Sequence, residues 1–187
     1  MGLKERMVRI LQSSETQRIR LNMTFPAGTA IEINGESFTR VATALNANRI
    51  HVQEGGVPDG VAKYSARVEG ASAANTFYIG ANSFGSRDFA GLIVHEAVHA
   101  FFDLTSGLLP WLDNEAAAYV AQGMYLRHSG FPMSRFNTTS LAYFGREIAG
   151  CVARGEDYSF WMDALRDGLR SDPLYSTYIN GHFTGDG

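Results

Sequence analysis

Residues 95–99 read His-Glu-Ala-Val-His, side chains whose types and spacing suit metal-assisted hydrolysis. On a helix, His95 and His99 stand four residues apart, about 40° around the axis, and share one face. Two neutral imidazoles on one face can hold a zinc ion, which lowers the pKa of a water to about 7. Glu96 lies about 60° from His99, beside that face, where it can take the water's proton without filling a ligand position. Two ligands are too few. The stretch Asp113-Asn114-Glu115-Ala116 opens a second helix after a short connection, residues 107–113, and a short connection makes antiparallel neighbours. Small residues at Ala116–Ala118 and Ala121 allow close approach, which brings Glu115 into reach as third ligand. The competing account of Glu115 is an acid favoured in a first turn by the helix dipole.

The helix carrying the pentapeptide must position it. Ile93, Ala97, Ala100 and Leu104 lie opposite the histidines, and Phe89, Val94, Val98 and Phe101 widen that apolar face. A helix apolar nearly all round is buried. Three ionisable groups inside it are costly unless they coordinate something.

Composition narrows the alternatives. The chain has 187 residues, 45% hydrophobic and 19% charged, with a formal net charge of −3. It is long enough for one domain with a real core, and its charged fraction is below the roughly 25% of an average soluble domain. No basic stripe suggests a nucleic-acid partner. No apolar run has membrane-spanning length, and residues 1–10 lack a signal-peptide core. The expected location is therefore cytoplasmic, or outside by a specialised secretion route. The single cysteine, Cys151, rules out a multi-cysteine zinc site and reads as a buried small hydrophobe.

The pattern of elements predicts an α+β fold: a small mixed β-sheet with an edge strand, packed on a helical lobe. Residues 1–85 form the mainly sheet-containing part and residues 86–187 the helical part, within one domain. Ile19, Leu21, Met23 and Phe25 alternate as a half-buried strand does, as do Ile50 and Val52, and Ala62 to Val68. Thr76–Ile79 is a β-prone run. Helices are expected near residues 3–12, 38–45, 86–104, 113–128, 139–154 and 158–171, with Ser86, Asp113 and Thr139 as N-caps. The aromatic tail, Tyr175 to Phe183, reads as a surface dock, with folding back over a cleft as the alternative.

His95-Glu96-Ala97-Val98-His99-Ala100, followed by Asp103, Thr105, Gly107-Leu108 and Asn114-Glu115-Ala116, resembles the active-site region of thermolysin-like zinc metallopeptidases of the gluzincin clan. The likeness covers about 25 residues and implies a zincin-like fold. It also implies one Zn2+ on His95, His99 and Glu115, Glu96 as general base, and support from Asp103 and Asn114. Asn75-Thr76-Phe77-Tyr78 is similar to the edge strand on which such peptidases lay their substrate; a core strand with Phe77 and Ile79 alternating is the alternative. The chain departs from the pattern in three places, the first being an interval from His99 to Glu115 that is a few positions shorter. Pro110 and Trp111 stand where the family has a transition-state tyrosine, and Tyr119 stands where it has an aspartate four residues after the ligand glutamate. The oxyanion stabiliser is thus open among Tyr119, Tyr143, His128 and His182, with His182 and Tyr143 favoured as catalytic helpers.

The expected function is a zinc endopeptidase acting on a peptide or protein, without nucleic acid or membrane as partner. A toxin- or effector-type protease with one protein target, and a catalytically impaired, zinc-stabilised interaction module, are the alternatives.

Overall fold

The computed structural model describes residues 1–26, 28–81 and 84–185. The chain runs α1 (Leu3–Leu11), α2 (Ser14–Gln17), β1 (Arg20–Thr24), β2 (Ala30–Asn34), α3 (Gly35–Asn46), β3 (His51–Glu54), β4 (Ala62–Ser65) and β5 (Thr76–Ile79). It continues with α4 (Arg87–Leu104), β6 (Leu108–Pro110), α5 (Trp111–His128), α6 (Leu141–Arg154), α7 (Ser159–Ser171) and β7 (His182–Thr184). Helix and sheet are mixed, as the α+β expectation requires. The strands, however, form three small sheets rather than one: β1-β2, β3-β5-β4 and β6-β7.

Alternation placed β1 well, because Leu21 and Met23 are buried and their neighbours exposed. The edge strand that the resemblance puts at Asn75–Tyr78 is not an edge, and the core-strand alternative holds. β5 is the middle strand of its sheet, parallel to β3 and antiparallel to β4, and all four of its residues are buried. A strand covered on both faces of its sheet loses the alternation that a half-exposed strand keeps. The edge beside the helical lobe is instead β4, which packs against α4.

One hydrophobic cluster links both halves of the chain, joining Met7, Phe38 and Phe77 to Ile93, Val98 and Leu126. α4 runs through it. Ser86 caps α4 by accepting from the Phe89 amide at 3.3 Å. Contacts between α4 and α5 pair early residues of one with late residues of the other, so the two helices are antiparallel. Gly91 faces Leu126, His95 stacks edge-on with Tyr119, and His99 meets Asn114. α5 starts two residues earlier than expected, at Trp111, so Asp113 lies inside its first turn and is fully buried. There it forms an ion pair with Arg166 of α7 and accepts the Thr29 hydroxyl at 2.8 Å. α6 is capped by Ser140 rather than by Thr139. α5 and α6 cross closely at Gly123 and Gly145, where any Cβ would overlap the facing backbone. Cys151 is buried in α6. Among the described residues, no helix is long and apolar enough to cross a membrane.

Candidate metal centre

The i, i+4 spacing on α4 and the first turns of α5 bring three side chains to one point. Glu115 Oε2 lies 3.3 Å from His95 Nε2 and 3.6 Å from His99 Nε2. One ligand atom from each residue falls within 4.8 Å of the others. Two donors about 2.1 Å from a tetrahedral ion stand about 3.4 Å apart, so the spacing matches a shared cation. All three residues are nearly inaccessible, 3%, 6% and 3% exposed for His95, His99 and Glu115. Glu115 Oε2 is buried and accepts no hydrogen bond, which is costly unless a cation takes its lone pair. The donor set can therefore hold a metal ion.

The surrounding groups orient the ligands. His99 Nδ1 pairs with Asn114 Oδ1 at 2.8 Å; the amide oxygen accepts, so Nδ1 carries the proton and Nε2 offers its lone pair inward. His95 packs edge-on against the Tyr119 ring at 4.5 Å. Its Nδ1 and Gln122 Oε1 both lack a hydrogen bond of good geometry, but Gln122 is close enough to act on the imidazole.

The electrostatics follow burial. Desolvation pushes His95 down to about 3, opposed by Gln122. His99 is lowered too, chiefly by burial, while Glu115 pulls it back up. Glu115 is raised by burial, against His99 and Tyr178. Glu96 is raised well above the ordinary carboxyl range by burial and then by Glu115. Both imidazoles are thus neutral at physiological pH, the form that binds metals. The two buried carboxyls resist ionisation until positive charge arrives.

Glu96 stands beside the ligands, as its place on α4 predicts. Its Oε2 accepts the backbone N–H of Tyr64 on β4 at 2.7 Å. The Tyr64 phenol donates to Asp103 Oδ2 at 2.5 Å, and Asn75, with its amide turned, donates to the same oxygen at 2.9 Å. Asp103 therefore ties the end of α4 to the sheet.

The favoured catalytic helpers are not brought to the centre. Tyr143 sits on α6 among Phe136, Phe144 and Trp161. His182 is exposed on β7, opposite Pro110. Neither hydrogen-bonds or stacks with His95, His99 or Glu115 among the described residues. His128 ends α5, where its Nδ1–H donates to the Glu15 carbonyl at 3.0 Å. The Tyr119 phenol meets Tyr175 at 2.7 Å rather than a ligand imidazole.

The tail, expected as a surface dock, instead covers the centre. β7 pairs with β6, the Trp111 amide donates to the Gly181 carbonyl at 3.0 Å, and the Gly185 amide donates to Gly107 at 2.9 Å. Phe183 packs 5.0 Å from Trp111 and 6.5 Å from His99. Tyr178 Oη lies 3.4 Å from Glu115 Oε1. The tail's aromatic content was the sole local signal for this. No protein-family model, curated protein or solved structure matches the chain.

Proposed function

We propose that the protein is a zinc-dependent peptide hydrolase. The observation that carries this reading is the convergence of His95 Nε2, His99 Nε2 and Glu115 Oε2, with the carboxylate of Glu96 on the same helix beside them. A donor set of two imidazoles and one carboxylate suits zinc, with one position left for water or substrate. Zinc held there supplies Lewis acidity, making water nucleophilic near neutral pH and polarising a carbonyl.

The chain's own groups divide the remaining work. His99 and Glu115 are positioned by adjacent turns of antiparallel helices, and Asn114 fixes the His99 tautomer. Glu96, held by the Tyr64 amide, is placed to take a proton from water and return it to a leaving amine. Among the described residues β4 pairs with a strand on one side, β5, and an extended peptide laid along its other side would pass Glu96. That arrangement favours a peptide substrate.

Cleavage of a peptide library by zinc-loaded protein tests the proposal. Hydrolysis should be abolished by a chelator and by Glu96→Gln, while the variant keeps one equivalent of zinc. Cleavage that survives the chelator would overturn it. One observation favours a second reading, a closed structural zinc site: the ligands are buried beneath the tail. In that case zinc binds and stabilises, yet no peptide in the library is cut.

A further inference from the structure

The hydrolase reading leaves one task unassigned: stabilising the negative charge that grows on the carbonyl oxygen under attack. The donors that the amino-acid order suggested are engaged or remote. Tyr119 is bonded to Tyr175, Tyr143 belongs to the α6–α7 aromatic cluster, and His182 faces solvent. Among the described residues, one neutral donor from outside the two metal helices reaches the third ligand, and it comes from the tail. The Tyr178 ring is wedged between Trp111 at 4.8 Å and Tyr175 at 5.9 Å. Its Oη stands 3.4 Å from Glu115 Oε1. That is long for an O–H···O bond, whose usual length is about 2.7–2.8 Å, so the phenol is weakly committed to the carboxylate. It faces Oε1, the oxygen turned away from the two imidazoles.

We propose that Tyr178 is a catalytic residue whose O–H donates to the scissile carbonyl oxygen as that oxygen becomes an oxyanion, an assignment that rests on the hydrolase reading above. In the step it serves, the water oxygen bonds to the carbonyl carbon and the water's proton passes to Glu96. The C=O π pair moves onto oxygen, where Tyr178 donates to it. The pair then returns, the C–N bond breaks, and the amine leaves with the proton from Glu96. The final strand pairing, β6 with β7, becomes part of the active site because it keeps this residue in place.

Tyr178→Phe tests the assignment, since it keeps the ring that packs on Trp111 and removes the O–H. In the zinc-loaded full chain, zinc content should stay at the wild-type level. Removal of one such donor lowers kcat by about 10²- to 10³-fold, with KM nearly unchanged. Affinity for methylphosphonate, a small tetrahedral oxyanion measured by calorimetry, should weaken about 10- to 100-fold. Wild-type kcat and methylphosphonate affinity in the variant would overturn the inference while leaving the hydrolase reading intact. Loss of zinc in step with activity would also overturn it, because Tyr178 would then only position Glu115. Absence of chelator-sensitive cleavage in the wild type would remove the hydrolase reading itself, and this inference with it.

Discussion

The side chain of Glu96 and the backbone amide of Tyr64, separated by 32 residues in sequence, meet at 2.7 Å. Through that bond the edge of a sheet holds the group beside the metal ligands. The pairing makes Glu96→Gln a clean probe, because the amide oxygen of glutamine can still accept the Tyr64 N–H. Without zinc, Glu96→Gln should unfold at a higher temperature than wild type, since burial and Glu115 both penalise the carboxylate. Glu96→Ala removes the carboxylate that accepts the Tyr64 N–H and should cost about 1–3 kcal/mol. Urea unfolding of the three proteins measures the order, and equal stability of the Gln and Ala variants would contradict it.

Removing the metal should destabilise the fold. The centre gathers two buried carboxyls and two desolvated imidazoles, a set that a cation reconciles. Free zinc at 100 times its Kd adds about 2.7 kcal/mol by mass action. The melting temperature should therefore climb with zinc concentration and fall with chelator. In His95→Ala the response should vanish; a variant that still shifts with zinc would place the metal elsewhere.

Asn114 would act on a bound metal through His99. Asn114→Ala removes the acceptor for His99 Nδ1 and frees the ring to turn or change tautomer. Loss of such a partner typically lowers metal affinity about 10- to 100-fold. Competition against a chromophoric chelator reads this directly, and an unchanged zinc Kd would show that packing alone holds the imidazole.

The first turn of α5 depends on the buried pair of Asp113 and Arg166. Removing one partner strands a charge in the core, a loss of about 3–5 kcal/mol. Arg166→Met should be destabilising by that order, and adding Asp113→Ala should cost less than the sum of the two single changes. Strict additivity in a double-mutant cycle would mean that the two groups do not interact.

Gly145 permits the contact of α6 with α5. A Cβ there would overlap the Tyr119 carbonyl, so the gain of roughly 1 kcal/mol from replacing a mid-helix glycine should be outweighed by forcing the helices apart. Gly145→Ala is expected to melt lower than wild type. A higher melting temperature would show that the crossing can widen freely.

What the amino-acid order determined by itself is the part of the site that lies within one or two helical turns. His95 and His99 share a face, with Glu96 beside it, because the helix repeats every 3.6 residues, and Glu115 follows because a short link folds the next helix back. Burial of α4 was equally legible from its apolar faces. The tertiary structure decided the rest. The order β3-β5-β4, which makes β4 the edge, depends on pairings between segments whose local patterns are nearly alike. Arg166 reaches Asp113 across 53 residues and Tyr178 reaches Glu115 across 63. Such distances are closed by burial and chain reversal, and these leave no periodic mark in the sequence. His182 and Tyr143 were attractive by residue type, but a phenol or imidazole serves this centre only where the fold delivers it. The fold delivers Tyr178, because β7 closes on β6 and draws the tail over the ligands.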